Sequence, residues 1–145
     1  MLRRVKRIPA AVLVLLALGG CAQEVPYRTE ETVARAIPRE RARTVLAELL
    51  AKGSTWRGGK YEVVEVADVS FAYRLAGGEE EFRREYPALA PRLFRHPSSE
   101  RVEVVLVAFE QKWRLRETDS VWFDASTDAE MFVDAIECLK RETRP

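Results

Sequence analysis

The sequence predicts an α+β domain: a strongly bent antiparallel sheet, or small partial barrel, closed by a C-terminal amphipathic helix. Three observations carry this. Val69–Leu75 alternates apolar and polar residues with a period of two. A valine-rich run, Val102–Phe109, reads as a buried strand. Apolar stripes at helical spacing stand on either side of the strand region, one before it and one at the end of the chain.

The first helix opens at Pro38, a residue suited to a first turn. Ala42, Val45, Leu46, Leu49 and Leu50 follow the i, i+3, i+4, i+7 pattern of a buried stripe. Gly53 is the expected C-terminal stop. A turn-rich stretch with Gly58-Gly59 leads into two strands, Tyr61–Val66 and Val69–Leu75, with Ala67-Asp68 as a kink, a bulge or the middle of one long bent strand. Residues 76–101 are the hardest to read. Phe82, Tyr86, Leu89 and Leu93 have helical spacing, but Pro87 and Pro91 break a continuous helix, so short helical turns over a sheet edge or barrel mouth are expected. His96-Pro97-Ser98-Ser99 makes a turn.

After Val102–Phe109, Lys112–Arg116 reads as another strand. Thr118-Asp119-Ser120 reads as a turn into a last strand, Val121–Asp124. That makes five strands. Thr127-Asp128-Ala129-Glu130 matches a capping box with Thr127 as N-cap, and Phe132, Ala135, Ile136 and Leu139 form the stripe of the closing helix.

The segment from Val121 to Ile136, a strand followed by a Ser/Thr–Asp–Ala–Glu cap and an amphipathic helix, resembles the end of pleckstrin-homology-like domains. There the helix plugs one end of a small bent barrel, usually of seven strands. The resemblance implies that residues 76–101 hide the missing strands. A cystatin-like helix-on-sheet arrangement is the alternative.

The N-terminus carries an address. Arg3, Arg4, Lys6 and Arg7 form a cationic segment, and Ile8–Leu18 an apolar one too short for the roughly 20 residues of a spanning helix. Leu18-Gly19-Gly20-Cys21 resembles the lipobox of bacterial lipoproteins. The resemblance implies a signal peptide over residues 1–20, a diacylglyceryl thioether on Cys21, and a palmitate or similar acyl chain on the new amine. Ala22 in place of Asp is similar to cargo sent to the periplasmic face of an outer membrane. Residues 21–36 then read as a lipidated tether and 37–145 as one domain. Several acyl chains anchor a protein stably where one chain binds only reversibly.

Cutting before Cys21 removes four of the 24 Lys and Arg and none of the 23 Asp and Glu. The mature chain, with 20 basic and 23 acidic residues, carries a net charge of −3 and has no general attraction for nucleic acid. Of the two cysteines, Cys138 is left single and reads as an inert, packed thiol on the last helix.

No constellation of catalytic residues emerges. His96 is the only histidine; Ser98 and Ser99 stand beside it, but neighbours in a turn are not a triad. No nucleophile elbow, phosphate-binding loop or dinucleotide fingerprint occurs, and one histidine with one thiol 42 positions away makes no zinc site. Glu79-Glu80-Glu81 lacks the spacing of a calcium loop. No cofactor and no metal is expected. Arg92, Arg95 and Arg101 gather around the His96 turn, and Lys112, Arg114 and Arg116 share one strand face. Either group would meet anionic headgroups or an acidic partner, although a solvated face balanced by Glu103, Glu110 and Glu117 is the commoner outcome. Trp56, Trp113 and Trp122 read as core or rim aromatics, with Trp122 on the face opposite Val121 and Phe123. The expected function is a non-catalytic binding or scaffolding module of the cell envelope, with an envelope protein as partner; the alternative is a carrier or sensor of a lipid or small apolar ligand.

Overall fold

The computed structural model describes residues 22–25, 37–110 and 114–143, without the side chains of 109–118. Cys21 and the Leu18-Gly19-Gly20 motif before it lie outside the described residues, as do Lys112 and Trp113. The fold is mixed α+β, with antiparallel strands and a C-terminal helix. In order come β1 (Gln23–Val25), α1 (Ala42–Lys52), β2 (Tyr61–Val66), β3 (Ser70–Leu75), β4 (Glu81–Glu85), β5 (Leu89–Arg95), β6 (Val102–Glu110), β7 (Arg114–Phe123) and α2 (Ser126–Glu142). The described strands form two sheets, β1-β5-β6-β7 and β2-β3-β4, and no closed barrel.

Both helices form where apolar spacing predicts them. Ala42, Leu46 and Leu50 of α1 and Phe132, Ala135, Ile136 and Leu139 of α2 are fully buried. The helices pack on each other, α1 also on β2 and α2 on β5, β6 and β7. Gly53 follows α1 for a reason the sequence conceals. Its φ of −65° is ordinary, but a Cβ there would stand 2.3 Å from Val121 Cγ1. α1 therefore ends hard against β7. α2 starts two residues earlier than the capping box implies: Ala125 is the N-cap, and no side chain caps it. Terminal turns commonly shift by a residue or two.

Residues 76–101 correct the expectation of helical turns. β4 and β5 occupy most of this stretch, joined by a short 3₁₀ turn over Tyr86–Ala88 that takes up Pro87. The turn resets the phase between two strands, which is how inward residues at 82, 86, 89 and 93 imitate a helix. Pro91 pairs in register with Leu106 of β6, and among the described residues β1 reaches only residues 93–95 of β5. Proline is tolerated in a strand where its missing N–H faces an unpaired side. The stretch read as tether also contributes to the sheet, since Gln23–Val25 pair with β5 and Val25 packs against the core. Three residues are too few to show a period.

Ala67-Asp68 turns out to be a hairpin turn, closed by Ala67 N–H to Ser70 O at 2.8 Å. The irregularity lies earlier, between Val63 and Glu65. Thr118-Asp119-Ser120 is no turn: β7 runs unbroken through it to Phe123. The chain thus has seven strands among the described residues, not five.

Ser54 joins the sheets. Its N–H donates to Trp122 O at 3.0 Å, Trp122 N–H donates to Ser54 O at 2.7 Å, and Ser54 also bridges Lys60 just before β2. Strand pairing therefore passes from β7 to the second sheet through one residue.

Candidate functional site

β7 alternates, so its neighbouring side chains serve two different clusters. Val121 and Phe123 point into the core, Phe123 against Phe132 at 5.2 Å between centroids. Asp119 shares that face. It accepts from the Tyr73 hydroxyl, from Arg84 Nε at 2.8 Å and from Arg84 Nη2. These bonds tie β7 to β3 and β4. Burial, then the Asp119 charge, holds the Tyr73 phenol far above its ordinary range and pushes Tyr61 up to about 12. Both hydroxyls remain protonated donors at neutral pH, Tyr61 to Ser120 O at 2.8 Å.

The outer face carries the candidate site. Trp122 is only 5% exposed although it points away from the core. Three side chains cover it. Trp56 packs on it at 4.7 Å between centroids, His96 at 4.6 Å, and the Arg101 guanidinium stands 5.5 Å from the ring. Arg101 also holds the loop that bears Trp56, donating to Trp56 O at 3.2 Å, to Thr55 O at 3.4 Å and to Ser54 Oγ. Its Nε approaches Asp124 Oδ1 at 3.3 Å, an ion pair without hydrogen-bond geometry. Gly58, at φ +89°, permits the tight turn that closes the loop, with Thr55 N–H to Gly59 O at 2.8 Å. Trp56 itself is 59% exposed, a large aromatic surface held by its tilted contact with Trp122 beneath and hydrogen bonds behind.

His96, Glu103 and Ser120 complete the patch. His96 Nε2 lies 2.7 Å from Glu103 Oε2, and the Ser120 hydroxyl donates to Glu103 Oε1. The carboxylate sits between the serine and the imidazole. A hydrolytic triad needs the imidazole between serine and acid, so that it can take the hydroxyl proton. Ser98 and Ser99 do not supply that arrangement either. Ser99 closes the turn, its N–H donating to His96 O at 3.2 Å and its Oγ accepting from Arg101 N–H at 3.1 Å. As placed, the three polar side chains orient one another.

Of the expected basic residues, the side chains of Lys112, Arg114 and Arg116 lie outside the described residues. Arg101 stacks on Trp122, Arg92 stands 3.8 Å from Glu24 of β1, and Arg95 pairs in register with Gln23. Arg114 lies opposite Glu110, and Arg116 falls in the β6–β7 irregularity between 108 and 109. Among the described residues, no group of three or more His, Cys, Asp or Glu could hold a metal ion, and no helix is long and apolar enough to cross a membrane. Cys138 is half-buried; burial, then Glu142, raises its thiol pKa and disfavours the reactive thiolate.

Sequence reasoning singled out His96, Trp122 and Arg101 but not the residues that complete their setting. Glu103 and Ser120 were legible only through register: they flank Trp122 across paired strands, which needs the β6–β7 alignment of Glu103 with Trp122 and Val105 with Ser120. No protein-family model matches the chain, and no curated protein or solved structure matches it closely enough to carry a likeness.

Proposed function

We propose that this protein is an exported lipoprotein, acylated at Cys21, whose domain is a non-catalytic binding module of the cell envelope. The observation that carries the binding role is the closure of the outer patch. Its polar groups are engaged with one another around Trp122, and what remains outward is the preordered ring of Trp56. Residues enriched at the centres of interfaces are tryptophan, tyrosine and arginine, and here two tryptophans and an arginine pack together. The lipobox-like segment supports the anchor, and Ala22 supports the periplasmic face of an outer membrane.

A pleckstrin-homology-like half barrel is the finer fold reading. Its support is the succession of seven strands in two antiparallel sheets, linked at Ser54 and followed by a helix. A carrier role would need room between helices and sheets. Phe71, Tyr73, Tyr86, Leu46, Leu106 and Phe132 are fully buried there, which favours the binding module.

The test is export of the full chain in a bacterial host, followed by intact-mass analysis and membrane fractionation. Acyl mass on a chain beginning at Cys21, with membrane partition lost in Cys21→Ser, is the expected result. An unmodified Cys21, or a Cys21→Ser protein still in the membrane, overturns the anchor. A second, non-covalent lipid retained in native mass spectrometry overturns the binding module in favour of the carrier.

A further inference from the structure

We infer that the rim of the domain bearing Trp56 lies against the bilayer that receives the Cys21 acyl chains, with the Trp56 ring in the neutral lipid–water interface. This rests on the proposed acylation of Cys21 and names the surface that the outer patch meets.

The first support is chain length. β1 begins at Gln23, two residues after Cys21. Two residues of chain reach at most about 7 Å, so an acylated Cys21 keeps the start of β1 close to the headgroups. The second is register. Gln23 pairs with Arg95, Arg95 with Val102, and Val102 with Phe123, while the adjacent Trp122 pairs with Ser54. One row of paired residues therefore leads from Gln23 across the sheet to Ser54, two residues before Trp56. Four strand spacings make that row about 19 Å long. Both of its ends lie on the same rim of the molecule.

The third support is what the rim exposes. Trp56 stands out from it, and Leu75, 39% exposed, lies beyond Gly59, whose added Cβ would meet Leu75 Cδ2 at 3.7 Å. Tryptophan has an apolar body and a polar N–H, which places it at headgroup level. The charges on this rim are mixed. Arg57, Lys60 and Arg95 are exposed, and so are Glu79, Glu80, Glu100 and Asp124. Such a rim has no net pull toward anionic lipid. The contact is therefore apolar and interfacial, and salt does not weaken it.

The experiment uses the exported, lipidated full chain in phosphatidylcholine vesicles whose acyl chains carry bromine near the headgroup. The Trp56 share of the emission is the difference between wild type and Trp56→Phe. That share should be quenched by the brominated lipid, equally at low and high salt, and equally when phosphatidylglycerol is added. A Trp56 share that is not quenched while intact mass shows acylated Cys21 overturns the docking and leaves the anchor standing. An unmodified Cys21 overturns both. Quenching confined to phosphatidylglycerol vesicles overturns the neutral contact in favour of anionic-lipid binding. Trp56-dependent capture of an envelope protein by the lipidated chain, with no quenching, assigns the ring to a protein partner instead.

Discussion

Replacing Asp119 by alanine should destabilise the domain more than any surface ion-pair change. Asp119 is the acceptor for two Arg84 nitrogens and for the Tyr73 hydroxyl, while the side chains of Arg84 and Asp119 are 7% and 20% exposed. Asp119→Ala removes the carboxylate that meets Arg84 Nε and Nη2 in the interior, while Arg84 Nη1 keeps its bond to Arg83 O. Breaking a buried pair from one side costs about 3–5 kcal/mol. The orphaned phenol adds about 1–3 kcal/mol, but both losses belong to one network and do not sum. Partial access of water to Asp119 sets the total near the lower bound, about 3–4 kcal/mol. At about 4 °C per kcal/mol for a domain of this size, Tm should fall by about 12–16 °C. Urea denaturation followed by circular dichroism supplies the free energy. The matched control is Glu62→Ala, whose partner Arg74 stands 2.9 Å away with both side chains about half exposed; it should cost below about 1 kcal/mol. The triple variant Tyr73→Phe/Arg84→Met/Asp119→Leu should regain most of the loss, since apolar replacement of a whole buried pair is often neutral. A loss below about 1 kcal/mol in Asp119→Ala would refute the claim that this carboxylate holds β7 to the second sheet.

Three further outcomes follow from the same geometry. Gly53→Ala should cost about 1–3 kcal/mol by overpacking against Val121, and Val121→Ala in that background should be less damaging than in wild type; purely additive losses by urea denaturation would deny the contact. Tyr61 and Tyr86 are pushed up to about 12 by burial, so the folded state holds their protons more tightly than the unfolded chain; their contribution is complete below pH 10 and lost as pH rises through about 12. The urea midpoint should therefore fall between pH 10 and 12, less steeply in Tyr61→Phe, and an identical slope in that variant would contradict the burial of the phenol. In a Cys21→Ser chain at pH 8, Cys138 should react with Ellman's reagent more slowly when folded than in urea, because burial raises its thiol pKa; equal rates would show an accessible thiol.

The parts legible in the sequence are those where local pattern and tertiary packing agree. Leu46 and Leu50 on α1, and Ile136 and Leu139 on α2, occupy the stripes that their spacing predicts, and all are fully buried. β2 and β3 are recovered within a residue because both are short runs rich in β-branched and aromatic residues bounded by turns. β4 and β5 were hidden because a 3₁₀ turn shifts the phase between them and Pro91 resembles a helix breaker. It lies instead within β5, opposite Leu106 of β6. β1 is invisible by length alone.

The misreading of Thr118-Asp119-Ser120 reaches furthest, because the polar character that suggested a turn is what couples the two faces of β7. Asp and Ser favour turns when their side chains bond locally. Here both bond at long range and on opposite sides: Asp119 inward to Tyr73 and Arg84, Ser120 outward to Glu103. Tyr61 then donates to the Ser120 carbonyl from the second sheet. Inner and outer clusters thus share a single stretch of backbone, two residues from the Trp122 ring that supports Trp56. The Trp56 ring rests on Trp122, which a strand fixed from both sides holds in place, so little conformational freedom remains to be lost when Trp56 meets a surface. Such preorganisation lets one exposed aromatic contribute to binding without a large ordering cost. The residues that fix this strand from both sides belong to a tripeptide that local propensity alone would assign to a loop.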